Sequence, residues 1–154
     1  MRVMEALDRI EVLLVRAGGR LYALPIAHVV EVMRGLPVER IAGAPPHVSG
    51  LAVVRGSSVP VVDLGLLAGD RSAAGRFVSL RVGDRRVALA VDAVLGVRAF
   101  DGWLLQELPP LLRDACADLI ATIGVLDGEL LVALRAGRLV PDDIWRALAS
   151  EAAS

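Results

Sequence analysis

The chain contains little of what most catalytic or metal-binding proteins depend on. A single cysteine, Cys116, occurs in 154 residues, so no intramolecular disulfide forms, and no Cys/His grouping has the spacing of a zinc site. The fold must be held by its core, and a reducing compartment suits it. Aromatic residues make up only 3% of the chain, which leaves Trp103 and Trp145 conspicuous. Lysine is absent and all 17 basic residues are arginine, a composition bias from which no function follows. An excess of either charge is also missing. The net charge is −1 and the arginines are scattered, so the basic stripe of a nucleic-acid binder is lacking and nucleic acid is not an expected partner. Long apolar runs are missing too, since the stretch from Val87 to Val97 is broken by Asp92 and falls well short of about 20 residues. No direct membrane insertion is expected. Glu5, Asp8 and Arg9 stand where a signal peptide needs an apolar core, so the expected location is cytoplasmic.

Catalytic patterns are equally scarce. There is no nucleophile beside a base, no cleft-type carboxylate pair and no phosphate loop. His28 and His47 read as surface or partly buried side chains, Cys116 as a small packing residue, and Gly18-Gly19 leads into a strand where a dinucleotide cradle would open a helix. The chain is not expected to be an enzyme or to carry a cofactor or metal.

What is abundant is apolar surface, 55% of residues, enough for a chain of this size to bury roughly 70% of its unfolded area. It is arranged as a repeat. Residues 12–24 align with residues 77–89 through Arg16/Arg81, Gly18/Gly83, Arg20/Arg85 and the pairs Ala23-Leu24 and Ala88-Leu89. A second match sets Val53-Val54-Arg55-Gly56 over Val125-Leu126-Asp127-Gly128. Two copies of about 65 to 70 residues are too few and too long for a solenoid and suit two packed β subdomains. Strands are expected near 11–17, 20–25, 36–41, 50–55, 58–63, 76–82, 85–92, 94–101, 119–126 and 129–135, five per half. A short helix is expected over Ile26 to Arg34, between Pro25 and Gly35, with a polar joining loop near 68–75. An amphipathic helix near 142–150 should close the chain, with residues 151–154 frayed.

The central hairpin, Gly50 to Leu64, is the most informative segment. Four apolar residues run into Arg55-Gly56, Gly56 relieves the turn, and the return strand ends at Asp63. Arg55 is either a turn residue pairing with a nearby carboxylate or a positive recognition group; Glu31 is its natural partner. Asp63 reads as a cap on the turn that follows, and Pro60 implies an edge or bulge position. Trp103 and Trp145 read as core or interface anchors. A groove of Val, Leu and Ile between the halves would suit an amphipathic partner helix.

The string Gly50-Leu51-Ala52-Val53-Val54-Arg55-Gly56 with Pro60-Val61-Val62-Asp63-Leu64 resembles the CheW family of bacterial chemotaxis coupling proteins. Leu21 to Ile26, Val29 to Val32, Ile41 to Pro45, His47 to Gly50 and Ala90-Val91-Asp92-Ala93-Val94 follow that family's order, so the likeness spans Val12 to about Val140. Val53, Ser57-Ser58 and Leu134-Arg135 depart from its pattern. The resemblance implies a mainly β fold of two five-stranded SH3-like β-barrel subdomains around a shared core, with a short helix and a C-terminal helix. Subdomain one would span about 12–70 and subdomain two about 76–140 of a single domain. It further implies a non-catalytic adaptor binding the regulatory domain of a CheA-type histidine kinase and the cytoplasmic tip of methyl-accepting chemoreceptors, recruited to arrays at the inner face of the membrane, with self-association in those arrays. Arg55, Glu31, Gly50 and Gly56 would lie in or support the partner-binding region with Val29 beside them, and Pro60, Asp63 and Asp92 would be structural. The residues themselves leave a small-ligand sensor as the alternative, and the departures from the family pattern leave a divergent CheW-like regulatory module of a non-motility signalling pathway.

Overall fold

The computed structural model describes residues 9–67, 75–101, 105–106, 120–135 and 138–153. The chain runs β1 (Arg9–Ala17), β2 (Arg20–Pro25), a 3-10 turn at Ile26–His28, β3 (Val29–Arg34), β4 (Val48–Val54), β5 (Ser57–Asp63), α1 (Leu64–Leu67), β6 (Arg76–Val82), β7 (Arg85–Val91), β8 (Ala93–Asp101), β9 (Leu105–Gln106), β10 (Ile120–Leu126), β11 (Glu129–Leu134) and α2 (Asp142–Ala153). The fold is mainly β, as expected. Trp103, Cys116 and the joining segment 68–74 lie outside the described residues.

Three local expectations change. Residues 29–34 form a strand, not the continuation of a helix, because Val29, Val30 and Val32 are β-branched and a ladder to β6 pairs Val29 and then Glu31 to Arg34. Residues 36–41 carry only an isolated bridge, Glu39 to Leu51. The terminal helix extends to Ala153, past the expected fraying point.

The sheets interleave the two sequence halves. One sheet has the order β8-β1-β2-β11-β10-β9 and the other β3-β6-β7-β5-β4. The first hairpin therefore joins strands from the end of the chain, while the rest of the first half joins the hairpin of the second. With the short β9, the first sheet has six strands, one more than expected, and the second has five.

Register shows the duplication more sharply than the residues do. In β3 the ladder skips Val30, passing from Val29↔Leu80 to Glu31↔Ser79; in β8 it skips Leu95, passing from Val94↔Val15 to Gly96↔Leu14. Likewise Ser49 is skipped in β4 and Ala121 in β10. Each copy has one parallel junction, β5 with β7 and β11 with β2. The tight turns match as well, with φ of 52° and 81° at Arg55-Gly56 and 52° and 80° at Asp127-Gly128, as a two-residue hairpin turn with both central residues left-handed requires.

Both faces of the central strands are buried, which explains their unbroken apolar runs. Val12 and Leu14 face an inner cluster with Leu21, Ala23 and Leu131. Ala52, Val54, Val59, Val61, Phe77, Ala88 and Ala90 form the counterpart in the other sheet. The alternate residues, Leu13, Val15, Tyr22 and Leu24 from one sheet and Val78, Leu80, Val87 and Leu89 from the other, meet in a shared core with Leu139, Val140 and Ile144. Tyr22 ties the layers by donating its hydroxyl to the Leu64 carbonyl at 3.1 Å.

Candidate partner-binding site

Arg55 occupies the tip of the β4–β5 hairpin at the edge of the five-stranded sheet, and Glu31 lies on β3 at the opposite edge. The sheet curls far enough to join them. Arg55 Nε donates to Glu31 Oε2 at 3.0 Å and its Nη2 to Oε1 at 2.7 Å, a two-pronged geometry that only a planar guanidinium supplies. The arginine side chain is 72% exposed and the glutamate 24%, so the cation faces outward and the carboxylate holds it from below. The hydrogen bonds from Arg55 hold the Glu31 carboxyl below the ordinary glutamate range, with the charges of Arg55 and then Arg86 adding to the shift and partial desolvation opposing it. The same bonds raise Arg55. An ion pair so exposed contributes little to stability; it fixes a charge in place.

The strands that carry the pair also expose aliphatic side chains. Val53, two residues before Arg55, is 68% exposed because its neighbours Ala52 and Val54 take the inward positions. Val30, at the bulge, and Val32 are also exposed. Val29 is half-buried against the shared core, so the outward side chains of this strand are its neighbours. The signal was present in the alternation of valines around Glu31, once that segment is read as a strand.

Gly50 is buried and holds φ at 148°, and a Cβ built there meets the Glu39 carbonyl oxygen at 1.9 Å. Its place in the geometry is to let residues 39–40 approach β4, where Glu39 exchanges backbone hydrogen bonds of 2.8 and 2.7 Å with Leu51. Gly56 supplies the second left-handed residue of the turn and has open space around it. Pro60 is not at an edge, since β5 lies between β7 and β4. It is tolerated because its partner across β4, Leu51, spends both backbone groups on Glu39, and pairing with β7 begins one residue later at Val61.

Asp63 Oδ1 accepts from the Gly65 N–H at 2.9 Å, and the Asp63 N–H donates to the His47 carbonyl at 2.8 Å. Asp92 Oδ2 accepts from the Gly18 N–H at 3.0 Å, and its N–H donates to the Arg16 carbonyl at 2.8 Å, so it fastens the first hairpin to the second half. Arg16 in turn grips Glu129 by two hydrogen bonds. His28 and His47 bond the carbonyls of Arg81 and Leu139. Among the described residues no group of three His, Cys, Asp or Glu is placed to hold a metal, and no helix is long and apolar enough to cross a membrane.

A β body that exposes a clamped arginine and aliphatic side chains in both halves, Val30, Val32 and Val53 in one and Leu95, Val97 and Val125 in the other, has the outward features of an interaction protein. The chain belongs to the CheW family, since the family's CheW-like domain matches residues 11–143. It is 23% identical over 137 residues to the chemotaxis protein CheW of Rhizobium meliloti, covering 86% of this chain and 88% of that protein. With CheW of Klebsiella aerogenes the identity is 25% over 145 residues, covering 92% and 82%. With the protein PilI of Pseudomonas aeruginosa it is 33% over 101 residues, covering 62% and 57%. Its fold is that of the scaffolding protein TtCheW from Thermoanaerobacter tengcongensis, with a TM-score of 0.71 at 23% identity over 83% of this chain and 90% of that one. As a member of this family the chain is a non-catalytic scaffold.

Proposed function

We propose that this scaffold couples methyl-accepting chemoreceptors to a CheA-type histidine kinase in the cytoplasm, at receptor arrays on the inner face of the membrane, and that the surface around Arg55 and Glu31 takes part in that binding. The observation that supports this most is the two-pronged ion pair joining the two edges of one sheet. It presents a positive group in a fixed position on a body whose strands β3 and β4 also expose Val30, Val32 and Val53. Fixed polar groups within an apolar margin supply the specificity and the desolvated area that a protein interface needs. The other copy of the repeat has Gly96 and Asp127 at the corresponding places, so the charged clamp belongs to one half only.

Titration of the purified chain against the regulatory domain of a CheA-type kinase from the same genome, and separately against a receptor cytoplasmic tip, tests the reading. Binding to both is expected, weakened in a folded Arg55→Ala variant. Absence of binding to either partner overturns the coupling function.

A further inference from the structure

On the side of the five-stranded sheet nearest α2, an open cleft of about 470 Å³ is lined by Ser57 and Ser58 at the start of β5, Arg85 and Arg86 at the start of β7, and Trp145 and Arg146 on α2. Asp84 is the one acidic residue in its wall. Three guanidinium groups stand against Asp84 in the wall and Asp142 beside Arg85, a balance that stays positive, and the two serines add exposed hydroxyls.

Two details show that this lining is organised. Arg85 sits 5.2 Å above the Trp145 ring centroid, and its Nη1 reaches Asp142 Oδ1 at 3.4 Å, so the guanidinium is set by stacking and by a carboxylate outside the cleft wall. The Trp145 indole N–H is buried and has no acceptor among the described residues. Buried donors are normally satisfied. With no solvent access this N–H lies beneath the cleft surface, in a ring that packs on the shared core and that Arg85 covers, and so reports on the cleft from below.

We propose that this cleft is an oxyanion site, taking the phosphate or carboxylate group of a small acidic ligand. Guanidinium groups bind both by parallel charge-assisted hydrogen bonds, and a volume of about 470 Å³ falls in the range typical of small-molecule pockets. The site does not depend on the adaptor reading, yet it adjoins that surface. Ser57 follows the Arg55-Gly56 turn directly, and Arg86 acts on the Glu31 charge.

Pyrophosphate and citrate, each against sodium chloride of equal ionic strength, are the probes. The readout is the Trp145 indole N–H resonance of the full ¹⁵N-labelled chain, identified by its loss in Trp145→Phe. A saturable shift with Kd of about 1 mM or tighter is expected, weakened about tenfold in Arg85→Gln and in Arg146→Gln. Response to pyrophosphate alone identifies a phosphoryl ligand, to citrate alone a carboxylate, and to both a general oxyanion site; each supports the proposal. No shift, a shift reproduced by sodium chloride, or undiminished affinity in the folded Arg146→Gln variant overturns it. Arg146 is exposed, so that variant decides the matter if Arg85→Gln fails to fold.

Discussion

Arg55 and Glu31, on opposite edges of one five-stranded sheet, are clamped together by two hydrogen bonds of 3.0 and 2.7 Å. The pair fixes the hairpin tip relative to β3 and so holds the Arg55 guanidinium in one place on the surface. Because both partners are in contact with water, the clamp orients the surface and adds little to stability.

Arg55→Ala is therefore expected to separate binding from folding. Its thermal midpoint should stay close to that of the parent chain, while affinity for the kinase regulatory domain or the receptor tip falls by about tenfold or more, the loss typical of a charged residue at an interface centre. Calorimetric titration beside a melting curve checks both. A large drop in melting temperature would show that the clamp is structural.

The clamp should be insensitive to pH near neutrality. Glu31 titrates below its ordinary value of 4.5 and Arg55 above its ordinary value, so both stay charged between about pH 5.5 and 9. A carboxyl whose folded pKa is depressed contributes stability above its unfolded pKa and loses it as pH falls through the folded one. The Glu31 contribution should thus fade only in acid below the ordinary glutamate range. The ¹³C carboxyl shift of Glu31 followed against pH measures this; a midpoint at or above the ordinary value contradicts it.

The two hairpin glycines should respond unequally to alanine. Gly50→Ala drives a methyl group into the Glu39 carbonyl at 1.9 Å, backbone that cannot rotate away, and should destabilise by about 3 kcal/mol or more. Gly56→Ala meets only open space at φ 81° and should lose about 1 kcal/mol from the left-handed backbone alone. Denaturant unfolding distinguishes them. Weakened binding in a Gly50 variant therefore reports on folding before it reports on contact.

Ser79 is fully buried in β6 and its hydroxyl has no hydrogen-bond partner among the described residues. Ser79→Ala should leave stability unchanged or raise it by up to about 1 kcal/mol, since removing an unsatisfied buried polar group removes its desolvation penalty. A loss of stability in urea unfolding would mean that the hydroxyl has a partner.

Local chemistry made much of the chain legible. Residues 76–82 and 20–25 are strands at their expected bounds, because alternation and turn glycines act over a few residues. The Arg55-Gly56 turn was readable for the same reason, and the pairing of Arg55 with Glu31 followed from two isolated charges in apolar surroundings. Residues 29–34 read as a helix because Pro25 and Gly35 mimic helix limits, whereas the valines between them favour a strand once β6 is there to pair with.

The sequence by itself determined the hairpins, the duplication and the family likeness, all of which depend on neighbours a few residues apart or on residue order. Only the tertiary structure decided that the first hairpin joins the last strands, that Pro60 lies in an interior strand beside a Leu51 turned toward Glu39, and that Gly50 is held by the approach of another backbone. Those outcomes rest on pairings between distant segments and on a core shared by both sheets, where burial on two faces selects a partner that residue order does not specify.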